Sequence, residues 1–69
     1  MEKDIHDKLF DTLMCLTKYE SKEVVAKTGI CFDDLWVIFT NERLPLERAE
    51  YVAKVFQKVY PEEWQASCV

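Results

Sequence analysis

Glycine occurs once and proline twice in 69 residues. A chain so poor in turn residues cannot supply the many tight reversals of a β-rich fold, and it suits helices joined by short links. Long apolar runs are also missing. No segment approaches the roughly 20 residues needed to cross a bilayer, and an N-terminus carrying Glu2, Asp4 and Asp7 is not a signal peptide. Histidine occurs once, at His6, with no clustered acid or thiol to make a metal site. The three cysteines, Cys15, Cys31 and Cys68, are odd in number and not at metal spacing. A disulfide framework needs an even count, so the simplest reading is three free thiols in a reducing cytoplasm. Surplus positive charge is absent too. Thirteen acids face nine bases, as five against three over 1–20, three against two over 21–41 and five against four over 42–69. No segment forms the basic stripe that duplex phosphates or anionic membranes attract.

Apolar residues make up 49% of the chain and nine residues are aromatic. That supply excludes disorder and provides one marginal core, so residues 1–69 form a single domain. The expected fold class is all-α, a compact domain of four to five helices. Ile5, Leu9, Leu13 and Leu16 recur at three to four residues and predict a first helix over about Asp4 to Thr17, its stripe widened by Phe10 and Met14. Ser21 reads as the N-cap of a second helix, Lys22 to about Thr28, which Gly29 ends in the left-handed conformation. A third helix is expected over about Phe32 to Thr40, with Leu35 and Ile38 inward. Asn41 to Leu44 form a polar turn, and Pro45 starts a fourth helix that runs to about Tyr60. Its inward face is Ala49, Val52, Ala53, Phe56 and Tyr60. Pro61 opens a short last turn carrying Glu62, Glu63 and Trp64.

Residues 21–40, SKEVVAKTGICFDDLWVIFT, have the form of a helix-turn-helix: a short helix, a glycine turn, then a helix whose apolar residues pack on the first. Val24, Val25, Gly29, Ile30, Leu35 and Ile38 occupy the positions this motif requires. With the continuation NERLPLERAEYVAKVF and VYPEEW, residues 21–64 resemble the Cro-like helix-turn-helix proteins of phages and prophages, especially the YdaS type. The resemblance implies a DNA-binding regulator whose third helix enters the major groove with Cys31, Phe32, Asp33, Trp36, Val37 and Thr40. A weaker resemblance links AEYVAKVFQKVYPEEW to the tail of the Hha/YmoA nucleoid modulators, which act by binding a DNA-binding protein.

The residues depart from the first family at the reading head. Base edges are read by Arg, Lys, Asn, Gln, Ser or Thr, and only Thr40 in that set conforms. The expected function is therefore protein–protein binding by a small acidic regulator of phage or prophage type. Its candidate surface is Phe32, Asp33, Trp36, Val37 and Thr40, meeting a protein partner or a second copy. The competing reading of Phe32, Trp36, Val37 and Phe39 is plain core. The alternative function is a sequence-specific DNA-binding regulator using Lys22, Lys27, Arg43 and Arg48 on phosphates. Asp33 and Asp34 sit in the first turn of helix three, where carboxylates offset the helix dipole, or else meet a basic patch on a partner. Cys31 at a helix N-terminus has an environment that can activate a thiol, but no base stands near it in sequence. His6 and the pair Glu62/Glu63 read as solvated surface groups. Nothing converges into a catalytic cleft, so no enzyme activity, cofactor, metal or small-molecule substrate is expected.

Overall fold

The spacing of apolar residues early in the chain produces the element around which the rest is arranged. In the computed structural model, which describes residues 4–66, helix α1 spans Ile5–Cys15 and tightens into a 3₁₀ turn at Leu16–Lys18. Asp4 is extended and caps α1, its side chain accepting from the His6 backbone N–H at 3.3 Å. Leu9, Leu13 and Leu16 are buried as their spacing predicts, while Met14 is 43% exposed and does not widen the stripe. Thr12 takes the interior place instead. It is wholly buried, and its hydroxyl is satisfied by donating to the Lys8 carbonyl at 2.8 Å.

Helix α2 is Ser21–Thr28. Ser21 is its first helical residue rather than its cap. Glu20 is the extended residue before it, and the Glu20 carbonyl takes the N–H groups of Glu23 and Val24. Gly29 ends α2 as expected, at φ 71°, with its N–H on the Val25 carbonyl at 2.8 Å. Thr28 ties the turn down from inside: its hydroxyl donates to Val24 and accepts from the Ile30 N–H. Ile30 is thereby buried between the two helices it links. Helix α3, Phe32–Phe39, begins after the three residues 29–31 and buries Leu35 and Ile38.

The turn after α3 is less polar than its sequence. Asn41 adopts the left-handed conformation at φ 62°, and its N–H and that of Glu42 close on Ile38 and Val37. This brings Leu44 inward, where it is buried in the core. Pro45 stands one residue outside helix α4, Leu46–Val59, as an extended cap whose carbonyl accepts from Ala49 at 2.9 Å. The inward face of α4 is the predicted one, with Ala49, Val52, Ala53 and Phe56 buried and Tyr60 buried just beyond it. Helix α5, Pro61–Ala66, lays the half-buried Trp64 against the core. Lys8 of α1 clasps it, with Nζ 4.4 Å from the ring centroid and donating to the Trp64 carbonyl at 3.0 Å.

The result is an all-α domain of five helices with no strand among the described residues. Helix α1 packs on α3, α4 and α5, and α2 closes the other side by packing on α3 and α4. The thirteen buried apolar side chains among the described residues join one core. No helix among the described residues is long and apolar enough to cross a membrane.

The turn at Gly29 gives a direct test. A Cβ built there meets nothing within 4 Å, so substitution is opposed by backbone strain alone. Gly29→Ala should lower stability by about 1–2 kcal/mol, measured by urea unfolding. Gly29→Asn should cost less, because asparagine enters the left-handed region more readily.

Candidate interaction face

Helix α3 has three kinds of side because eight residues wind through little more than two turns. Leu35 and Ile38 point into the core. Phe32, Trp36 and Phe39, at spacings of four and three, fall on an adjacent side. There they are 49%, 55% and 45% exposed. Their rings form a ladder: Phe32 and Trp36 have centroids 6.4 Å apart and planes at 28°, and Trp36 and Phe39 are 5.8 Å apart at 16°. These are offset-stacked distances, worth about 0.5–1.5 kcal/mol per pair beyond area burial.

The ladder is one wall of an open groove of about 220 Å³. Leu35 forms its floor with Leu13 and Leu16 of α1 and Val24 of α2, and Thr17, Tyr19 and Ser21 close the opposite side. The groove exists because the chain leaves α1 through the 3₁₀ turn and re-enters at α2, so that link stands away from α3.

The structure sorts the sequence-predicted residues. Phe32 and Trp36 stand together on the groove, as their spacing predicts, and Phe39 joins them. Phe39 belongs to the same i, i+4, i+7 series, which was the signal for including it. Val37 is half-buried and packs against the core, and it does not line the groove. Asp33 and Thr40 are exposed on the solvent side of the ladder, about 60–100° round the helix from it. The Thr40 hydroxyl is turned onto the Val37 carbonyl at 3.1 Å. Cys31, exposed, is the extended residue that caps α3. Cys15 is also free and exposed, and Cys68 lies outside the described residues.

The four basic residues considered for phosphate contact are held separately. Lys22 faces Glu20 at 4.0 Å, Lys27 lies 6.0 Å from the Tyr19 ring, Arg43 bonds Asp4 at 2.7 Å and Arg48 bonds Asp34 at 3.5 Å. Asp34 thus has a structural role at the start of α3, joining it to the start of α4.

Two polar fasteners sit away from the groove, and both correct the surface assignment of their residues. His6 is half-buried: its Nε2 is 3.0 Å from the Leu44 carbonyl and its Nδ1 is 3.0 Å from an Arg43 guanidinium nitrogen. The carbonyl can only accept, so Nε2 carries the hydrogen and Nδ1 is left to accept from Arg43. Arg43 also holds the Asp4 carboxylate, pulling its pKa down from 3.8 to about 2, with the His6 backbone N–H assisting. Glu63 is the second. Its side chain is only 11% exposed, 3.1 Å from Lys18, and accepts from the Tyr19 hydroxyl at 3.3 Å. The Lys18 bond lowers the Glu63 pKa and raises that of Lys18. Beneath it Tyr19 packs on Tyr60, with centroids 5.5 Å apart. The Tyr60 hydroxyl is buried without a hydrogen-bond partner among the described residues, and burial followed by the nearby Glu23 raises its pKa.

Among the described residues no three His, Cys, Asp or Glu side chains gather as metal ligands. The His6 ring is held between the Leu44 carbonyl and the Arg43 guanidinium. No family model matches this chain, no curated protein matches it, and no solved structure matches its fold.

The Asp4 fastener predicts an acid limb in stability. The folded carboxyl takes its proton only near pH 2, whereas the unfolded chain takes it near 3.8. The contribution is therefore complete above about pH 4 and is lost as pH falls toward 2. Urea midpoints measured from pH 5 to 2 should fall more steeply for the native chain than for Asp4→Asn. Parallel curves would show that Asp4 does not contribute.

Proposed function

We propose that this chain is a cytoplasmic, non-catalytic regulator that acts by binding another protein through the groove face of α3. It carries a helix-turn-helix-like scaffold of the kind seen in phage regulators, put to use as an inhibitor or modulator. The observation that carries the reading is the Phe32–Trp36–Phe39 ladder, held about half exposed beside an open apolar groove. A chain this small needs its large apolar residues inside, yet three of its nine aromatics stand at the surface on one helix face. Contiguous exposed apolar surface of this kind marks interaction sites, and Trp is the side chain most enriched at their energetic centres. Ligand pockets for small molecules and cofactors usually span roughly 300–1,000 Å³. A 220 Å³ groove suits one or two side chains of a macromolecular partner instead.

DNA reading is the less supported alternative. Its outer-face residues on α3 offer base edges little beyond Thr40, and the Thr40 hydroxyl already donates within its own helix.

Two substitutions one residue apart separate a working surface from spare core. Leu35→Ala should cost roughly 2–5 kcal/mol, a large part of the stability of so small a domain. Trp36→Ala should leave helicity and melting nearly intact, while weakening self-association or capture of a lysate partner by about 2 kcal/mol or more. Unfolding by Trp36→Ala as severe as that by Leu35→Ala would remove the surface reading. In parallel, random duplex should bind more weakly than about 10⁻⁴ M at physiological salt. Micromolar binding with a steep salt dependence, abolished by Lys22→Ala and Lys27→Ala, would instead favour the DNA reading.

A further inference from the structure

The charges around the groove restrict what can occupy it. Between Lys27 and Arg43 the only charged residues are Asp33, Asp34 and Glu42, all acidic. Asp34 is committed to Arg48. Asp33 and Glu42 are exposed, and neither has a cationic partner among the described residues. They bracket the aromatic ladder, one in the first turn of α3 and the other just past its end. Most cations near these elements are already held: Lys18 by Glu63, Arg43 by Asp4 and Arg48 by Asp34. Beside the apolar trough, the ladder helix and the turn after it therefore carry unneutralised negative charge at Asp33 and Glu42, and the only charged residue between these two in sequence is Asp34.

The trough is also shaped for a rod. Phe32 to Phe39 spans about 10 Å along the helix axis, above a floor of Leu13, Leu16, Val24 and Leu35 that Thr17, Tyr19 and Ser21 close on the other side. An amphipathic helix laid in such a groove places apolar side chains at three- and four-residue intervals into the floor. Arginine or lysine on its flanks would reach Asp33 and Glu42, and a guanidinium could also lie on the exposed face of Trp36.

Resting on the protein-binding reading above, we infer that the occupant of this groove is a basic amphipathic helix. Its apolar side chains fill the trough, and its Arg or Lys residues meet Asp33, Glu42 and the Trp36 ring. A second copy of this chain fits less well, because two faces each carrying Asp33 and Glu42 would oppose like charges.

The test selects from a displayed library of random peptides of about 16 residues, enough for roughly four helical turns, on the immobilised full chain. Selection is repeated on Trp36→Ala and on the double variant Asp33→Asn, Glu42→Gln. The expected result is enrichment of peptides with apolar residues at helical spacing and a net positive charge. These should lose most of their binding to Trp36→Ala, bind the double variant about three- to tenfold more weakly, and weaken as salt rises. Enriched peptides that need Trp36 but are neutral or acidic, and that ignore the double variant, would overturn the basic-helix inference and leave the aromatic face standing. No enrichment, or binding indifferent to Trp36→Ala, would overturn both. Circular dichroism of each variant separates loss of binding from loss of fold.

Discussion

A chain of 69 residues has room for one interior, and α1 runs through it. Leu9 is completely buried, Leu13 and Leu16 continue its stripe, and α3, α4 and α5 all lean on this one helix. In so small a core the number of inward places is set by how many helices can reach α1 at once. Helix α3 reaches it with Leu35 and Ile38, and α4 with the face from Ala49 to Phe56. A helix turns only part of its circumference to its neighbours, and α3 turns Leu35 and Ile38 inward. The aromatic ladder is therefore left on the adjacent side, along the groove over Leu13 and Leu16.

The polar side chains complete what burial alone leaves loose. Helix α1 is fastened at its start by Asp4 and His6 to Arg43 and the Leu44 carbonyl, and along its length by Lys8 to Trp64. Where α1 ends, Lys18 and Tyr19 meet Glu63. Each fastener joins residues about forty or more positions apart in sequence. They close long loops, so their net worth depends on ordering little that α1 has not already ordered. The surface pairs among them are individually weak, and their value lies in fixing how the turn after α3 and the final helix sit against α1.

The periodic parts of the fold were legible in the sequence. The inward face of α4, the stripe of α1 and the glycine stop after α2 follow from spacing and from a single permissive residue, and they depend little on the rest of the chain. The stacking of Phe32 with Trp36 was readable for the same reason, since residues four apart share a helix face. What escaped was set by distant parts of the chain. Ser21 carries a capping side chain, but the extended conformation falls on Glu20, so local preference names the right place and the wrong residue. Leu44 sits in a stretch that is polar by composition, and it goes inside because Asn41 turns left-handed and swings it there. Val37 looks like a member of the exposed set until neighbouring helices cover it, and His6 looks like a surface histidine until a carbonyl 38 residues away meets it. Thr12 and Met14 exchange roles for a related reason: a threonine that bonds its own helix can be buried, which frees the longer residue to face water.

The two tryptophans occupy opposite situations. Trp64 is half-buried, clasped by Lys8 and tied to the packing of α5 on α1. Trp36 is the most exposed of the three rings in the ladder and stands between Phe32 and Phe39. Their indole emission therefore divides into two channels. Light from Trp64 reports whether the domain is assembled, and light from Trp36, red-shifted by water, reports whether its face is covered. A single-tryptophan version retaining Trp36 would be an optical gauge of occupancy that needs no attached dye, and one retaining Trp64 would be a gauge of integrity. In its native form the chain carries both signals at once.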